Sequence, residues 1–330
     1  MRAIVITEHG GPDVLQVQEV PDPVPADDEV LISVKAFGIN HAETHMRKGE
    51  WPEATPISGI EAVGTVVHDP SGALAEGTTV VTIMGGLGRT RNGSYAEYVA
   101  AAASNVAAIN TTLDWTDLAA IPESYATAWS ILHGNLELQP EHTLLVRGAT
   151  SALGQAAVNI AHDLGATVIA TTRRAERAEL LRSLGADDVV VDDSQIAQHV
   201  RALVPGGVDR LLDLVGNSVL RDSLQAVRAR GRMCQAGFLG GLEPVVDFLP
   251  IIDLPSGVQL SFFGSFELGT EAVPLSAIPF QTIVEKVETG DYHARPSRVL
   301  AFEEVADAHR LMERNEAAGK LVIAGASSLD

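Results

Sequence analysis

One cysteine, 5% aromatic residues and no long apolar run set the first limits on this chain of 330 residues. Cys234 has no second thiol to pair with, so neither an internal disulfide nor a four-cysteine zinc site can form. Its setting in Arg232 to Gln235 reads as a small buried hydrophobe in a strand. No 18 consecutive apolar residues occur, so no membrane-spanning helix is expected. Glu8 and His9 interrupt the run from Met1 to Ile6 before the apolar region of a signal peptide could form, which points to a cytoplasmic protein. Basic residues are scarce too: 23 Lys and Arg against 43 Asp and Glu leave a formal charge of −20, which disfavours nucleic acid and anionic membrane as partners. What remains is 46% hydrophobic and 20% charged, the balance of a globular protein, and long enough for two cores.

The most informative stretch runs from Leu144 to Gly154, a strand entering a turn of small residues and then a helix. A pyrophosphate needs backbone N–H groups aimed at it and no Cβ in its way. Gly148, Ala149, Thr150, Ser151, Ala152, Leu153 and Gly154 meet that need at a helix N-terminus, although Ala149 and Ser151 replace two glycines of the usual G-x-G-x-x-G pattern. Leu153, Ala156, Ala157, Ile160, Ala161 and Leu164 recur at helical spacing, Gly165 stops the helix, and Thr167 to Ala170 follows as a second buried strand. An NAD site wants an acidic residue at the end of that strand for the ribose hydroxyl. This chain has Thr171, Thr172, Arg173 and Arg174, with Arg177 a turn later, so guanidinium groups suit a 2′-phosphate and the expected cofactor is NADPH. A solvated basic helix start is the bland alternative.

Short strands separated by Pro and Gly fill residues 1–122: Arg2 to Thr7, Val14 to Val20, Glu29 to Phe37, Gly64 to His68, Thr78 to Ile83 and Ala96 to Ala100. Strands then alternate with helices over 123–263, with strands at Leu144 to Arg147, Thr167 to Thr171, Asp188 to Val191, Arg210 to Val215, Arg232 to Gln235 and Val258 to Phe263. That alternation predicts a doubly wound parallel sheet. Residues 264–330 hold helices at Pro279 to Thr289 and Glu303 to Asn315 and a last strand at Lys320 to Ala324, expected to return to the first domain. The apolar strand Val258 to Phe263 would be a bare sheet edge unless paired, so a homodimer through it is expected.

Five ordered motifs resemble the medium-chain dehydrogenase/reductase superfamily, and within it the zinc-free quinone oxidoreductase branch related to zeta-crystallin. They are Gly38 to Gly49, Ser58 to Gly64, Gly93 to Tyr98, Tyr125 to Trp129, and the phosphate turn. The resemblance implies an α/β protein with a GroES-like β-barrel catalytic domain, closed by the C-terminal tail, plus a Rossmann domain, with the active site in the cleft between them. Zinc alcohol dehydrogenases of this superfamily carry Cys where this chain has Asn40 and His where it has Ile60, and their Cys-rich loop has no counterpart near Met84 to Arg91. No metal is therefore expected, although His41 and His45, four apart, would share a helix face.

Without a metal, hydride transfer favours reduction of a quinone or an α,β-unsaturated carbonyl, a small-molecule substrate. Asn40 is the candidate for a neutral hydrogen-bonding group at the nicotinamide ribose or the acceptor oxygen, the alternative being a loop Asn serving backbone. His45 is the candidate proton donor, against the reading of a lone exposed histidine. Some members of the branch have tyrosines at the positions of His45 and Trp51, so their role does not carry over. Thr127 resembles the family threonine near the nicotinamide. Val215, Gly216 and Phe238 follow strands on the carboxyl edge, and Phe263 and Ser265 close the sheet where backbone can meet the carboxamide, although ordinary turn and core readings fit these residues too. Glu61 is read as a structural carboxylate. Two other functions stay open: an enoyl-thioester reductase, which needs a basic patch for a phosphorylated carrier that only Arg89 and Arg91 could supply, and a non-catalytic NADPH-binding sensor or structural protein.

Overall fold

The computed structural model describes residues 1–51 and 53–326, which divide into two compact units. One comprises Met1–Ala126, Ser265–Gly290 and the chain from Ala294 onward; the other comprises Thr127–Gly264 and Asp291–His293. Among the described residues no helix is long and apolar enough to cross a membrane.

The first unit is β-rich. A hairpin of β1 (Arg2–Ile6) and β2 (Leu15–Glu19) precedes the long β3 (Glu29–Ile39), and α1 (His41–Lys48) follows at once. Then come β4 (Glu61–His68), β5 (Thr79–Ile83), β6 (Tyr98–Ala102) and β7 (Val106–Ala108). The strand expected at Ala96 to Ala100 thus sits two residues later, where Tyr98 to Ala102 pair with Ser33 to Glu29. Likewise β4 begins at Glu61 rather than Gly64, because Glu61 and Ala62 already pair with Ile83 and Thr82. Short α2 (Trp115–Leu118) and α3 (Pro122–Ser130) complete the N-terminal half.

The second unit is a six-stranded sheet with every pairing parallel. Its strands are β8 (Thr143–Arg147), β9 (Thr167–Thr172), β10 (Asp188–Val191), β11 (Val208–Asp213), β12 (Val227–Gln235) and β13 (Gln259–Phe262), in the order β10-β9-β8-β11-β12-β13. Right-handed crossovers need helices between such strands. α4 (Ala152–Leu164), α5 (Ala178–Ser183), α6 (Ile196–Leu203), α7 (Leu220–Ala226) and α8 (Pro250–Asp253) supply them. Leu145, Ile169, Val200, Leu211, Leu224 and Met233 form a buried cluster between sheet and helices. β11 stops at Asp213, two residues before the expected Val215, because the Asp213 carboxylate accepts the N–H groups of Val215 and Gly216, both at 2.8 Å, and turns the chain.

The returning chain carries α9 (Phe280–Thr289), β14 (Arg298–Leu300), α10 (Val305–Glu313) and β15 (Leu321–Ala324). β15 lies antiparallel to the end of β3, pairing Leu321 with Ile39 and Ala324 with Ala36. The first unit's sheet then reads β14-β15-β3-β4-β5-β7, with β6 paired to β3. In its core Phe37 stacks on Tyr95 at 4.8 Å and meets Phe302 edge-on at 6.4 Å, so residues from the two ends of the sequence pack together.

Candidate functional site

In the second unit the candidate residues gather along one edge of the sheet. Thr150 to Gly154 follow β8, Thr172 to Arg177 end β9 and continue from it, Val215 and Gly216 follow β11, and Phe238 and Phe263 follow β12 and β13. All of these strands are neighbours, and ligands of such folds sit beyond their carboxyl ends. The turn after β8 is built for close backbone approach. Gly148 holds φ +84°, a left-handed conformation that side chains disfavour. A Cβ on Gly154 would lie 2.6 Å from Ala149 Cα and 2.7 Å from the Gly148 carbonyl oxygen, so only glycine lets the helix start this close to the strand. Ser151 caps α4: its Oγ accepts the Gly154 N–H at 3.1 Å and donates to the Gly148 carbonyl at 2.9 Å. Beneath the turn, fully buried Arg147 ties Asp192 (2.9 Å) and Asp222 (2.7 Å) to β8, fixing the loops beside it.

Arg173 and Arg174 are exposed and Arg177 is half-buried. Burial, and then the like charge of Arg174, lower the Arg177 pKa, with Glu176 opposing and Arg173 adding a smaller push. Among the described residues no carboxylate pairs with any of them. Thr172 accepts the Arg174 N–H at 3.2 Å and shapes this turn. Thr127, in α3, is buried.

In the first unit, Asn40 directly follows β3 and is the N-cap residue of α1. Its Nδ2 donates to Glu61 Oε1 at 2.9 Å, and its Oδ1 accepts from the Lys320 ammonium at 2.6 Å. Lys320 also pairs with Glu61, which is fully buried and accepts the Glu123 N–H at 2.8 Å. The backbone N–H of Asn40 goes to Glu43. Asn40 therefore serves neither loop backbone nor solvent alone; its amide sits inside an ion pair. Its second Nδ2 hydrogen has only a 3.5 Å contact with Glu43.

Behind Asn40 lies a buried polar chain. Arg47 bonds Glu313 and donates to His309 Nδ1 at 3.5 Å. A guanidinium only donates, so His309 carries its proton on Nε2, which faces the Tyr95 hydroxyl at 3.0 Å. Burial pushes Glu43 up to about 7 and lowers His309 to about 3. His41 is lowered to about 4, by burial first and then by His45 and Lys48. His45, partly exposed, bonds Glu50 through Nδ1 and stacks on Trp51 at 6.2 Å. Ser265 lies in this unit, its hydroxyl 3.9 Å from the Met84 sulfur. Among the described residues no three His, Cys, Asp or Glu side chains converge as metal ligands.

Arg89 and Arg91, the one cluster a carrier phosphate could use, are both engaged: Arg89 pairs with Glu53 at 3.2 Å and lies over the Trp51 and Phe266 rings, and Arg91 pairs with Glu29. Glu43, Arg47, Tyr95, His309 and Lys320 were not singled out. The spacing Asn40, Glu43, Arg47 carried a signal, since i, i+3 and i+7 share a helix face; Lys320 opening an apolar strand carried another.

The architecture and the glycine-dependent turn define a two-domain dehydrogenase/reductase. Residues 152–280 match the zinc-binding dehydrogenase family model, and residues 26–111 match the alcohol dehydrogenase GroES-like domain. Human quinone oxidoreductase is 31% identical over 251 residues, 74% of this chain and 75% of that protein. A mycobacterial protein solved in complex with NADPH is 28% identical, with a TM-score of 0.87 over 98% of this chain and 100% of its own. A solved structure named as an NAD-dependent alcohol dehydrogenase is 30% identical, with a TM-score of 0.83 over 98% and 99%. The chain belongs to the medium-chain dehydrogenase/reductase superfamily, in its zinc-free quinone oxidoreductase branch.

Proposed function

We propose that this oxidoreductase uses NADPH, without a metal, to reduce a quinone or an α,β-unsaturated carbonyl. The observation that carries the reading is the basic trio Arg173, Arg174 and Arg177 just after β9, with none of the three in an ion pair among the described residues. Like charges held together are stabilised by an anion, and a 2′-phosphate supplies one. The turn fits the rest of the dinucleotide, since Gly154 lets α4 start hard against the end of β8, with its first N–H groups at the turn. The NADPH-bound mycobacterial relative supports the same cofactor.

NADPH, when bound, supplies hydride to the electron-poor carbon of the acceptor. The chain's own share is placement and charge. N–H groups from Ser151 to Gly154 hold the pyrophosphate, with Thr172, Arg173 and Arg177 on the adenosine phosphate, and Thr127, Val215, Gly216, Phe238, Phe263 and Ser265 as cofactor contacts. The loosely held Nδ2 hydrogen of Asn40 donates to the acceptor oxygen, where negative charge develops. His45, its Nδ1–H donated to Glu50, delivers a proton from Nε2 when the ring carries both protons.

An enoyl-thioester reductase is the second reading. The pairing of Arg89 with Glu53 and of Arg91 with Glu29 weighs against a carrier phosphate there. The reading also includes a cytoplasmic location and a homodimer joined along β13.

The test offers purified protein NADPH or NADH with quinones, enones and enoyl thioesters. NADPH oxidation by quinones or enones is expected. Turnover of enoyl thioesters alone would move the assignment to the second reading. Tight NADPH binding with no turnover of any acceptor would make the chain a non-catalytic binder.

A further inference from the structure

We propose that Lys320 is a positioning residue that locks the Asn40 amide in one orientation. The proposal rests on the reading above that Asn40 contacts the acceptor. Lys320 comes from the start of the last strand, 280 residues away in sequence, and is 3% exposed. An ammonium has only donors and a carboxylate only acceptors. Between them, the amide has a single arrangement that satisfies both: Oδ1 to Lys320 at 2.6 Å and Nδ2 to Glu61 at 2.9 Å. Rotating the amide by half a turn would place NH2 against ammonium and oxygen against carboxylate, losing two charge-assisted bonds at once.

A second observation shows that the fold makes room for this clamp. A Cβ on Gly38 would stand 2.2 Å from Lys320 Cε and 2.4 Å from Glu61 Oε1. The hollow left by Gly38 on β3 thus houses the ion pair. The same strand delivers Asn40 two residues on, so hollow, pair and amide are built as one unit. The consequence is a fixed direction for the second Nδ2 hydrogen, the one that Glu43 holds only at 3.5 Å. A donor with a preset direction requires no reorganisation when charge develops on the acceptor oxygen.

The experiment is a double-mutant cycle between Asn40→Ala and Lys320→Met, with kcat and KM measured separately and NADPH affinity followed by fluorescence. Lys320→Met is expected to lower kcat by on the order of 10- to 100-fold, the scale of a misplaced group, with NADPH affinity held within about twofold. In the Asn40→Ala background the same change should add less than about twofold, because no amide remains to orient. Losses that multiply would overturn the proposal.

Lys320→Met strands a buried carboxylate and could unfold the chain. Glu61→Gln/Lys320→Met removes both charges and keeps an acceptor for Nδ2; it should fold and still show the slow kcat. Wild-type rates in that folded variant would overturn the proposal. A readout without turnover separates this idea from the functional reading: the 1H–15N side-chain signals of Asn40 in protein free of cofactor. Exchange protection of the Nδ2 hydrogen held by Glu61 in wild type, lost in the double variant, upholds the clamp, even if no acceptor is ever turned over. Unchanged protection sinks it, whatever the activity.

Discussion

At the scale of single residues, the protein separates charges that wait for a ligand from charges already satisfied. Arg173 belongs to the first kind. Arg173→Ala is expected to weaken NADPH binding by about 1 to 3 kcal/mol, the worth of a charge-assisted hydrogen bond, and to leave NADH nearly unchanged. Titration of both cofactors checks this, and equal losses would remove the 2′-phosphate assignment. Glu43 belongs to neither kind, because burial disfavours its charged form. Burial lifts its carboxyl from an ordinary 4.5 to about 7, so the folded chain keeps a proton that the unfolded chain has released. Stability linked to Glu43 is present below about 4.5 and is lost as pH rises toward about 7. His309 and His41 act oppositely, since their lowered values make the folded chain refuse protons that the unfolded chain takes up below 6.5. Because the two effects overlap, the comparison must be differential. The stability of Glu43→Gln relative to wild type should improve steadily as pH is raised from about 4.5 to about 7. Urea unfolding across that window measures it, and a constant difference would show that Glu43 does not titrate there.

At the scale of elements, the β8 turn and the start of α4 act as one device. Ser151→Ala removes the cap bond and should cost about 1 kcal/mol of stability, with the fold retained. Gly154→Ala is more severe, because the atoms its Cβ would strike at 2.6 and 2.7 Å belong to backbone and cannot rotate aside. It should weaken NADPH and NADH together, unlike Arg173→Ala, since the whole turn has to shift away from the pyrophosphate. Equal binding by wild type and Gly154→Ala would mean that the dinucleotide does not use this turn. The element was legible because periodicity, the small residues and the Gly165 stop all agreed on it, and α4 runs from Ala152 to Leu164 with Gly165 in the left-handed cap. The expected end of β11 at Val215 was less legible. Asp213 reads as one more strand residue until its carboxylate is seen to gather the N–H groups that follow.

At the scale of the whole molecule, the sequence carried the parallel sheet and the β-rich unit, since both write themselves as local patterns. It did not carry the Asn40 clamp. Glu61 and Lys320 are 259 residues apart, and the pairing of β15 with β3 and of β3 with β4 brings them together. Long-range partners of that kind leave no periodicity to read. The same limit applies to assembly, where one edge remains to be explained. β13 ends its sheet, paired on one side with β12, and Leu260 and Phe262 on it are 41% and 53% exposed. Nearby in sequence, Ile251 and Ile252 are 87% and 70% exposed. A bare apolar edge invites another strand, and a second copy of β13 across a two-fold axis would satisfy its free N–H and C=O groups. Sedimentation should therefore give a dimer of a 34.8 kDa chain. Leu260→Lys/Phe262→Lys should shift it toward monomer, because two like charges would then face their copies across the axis. A dimer unmoved by that variant would place the interface elsewhere, and a wild-type monomer would leave the edge to be covered by another part of the chain.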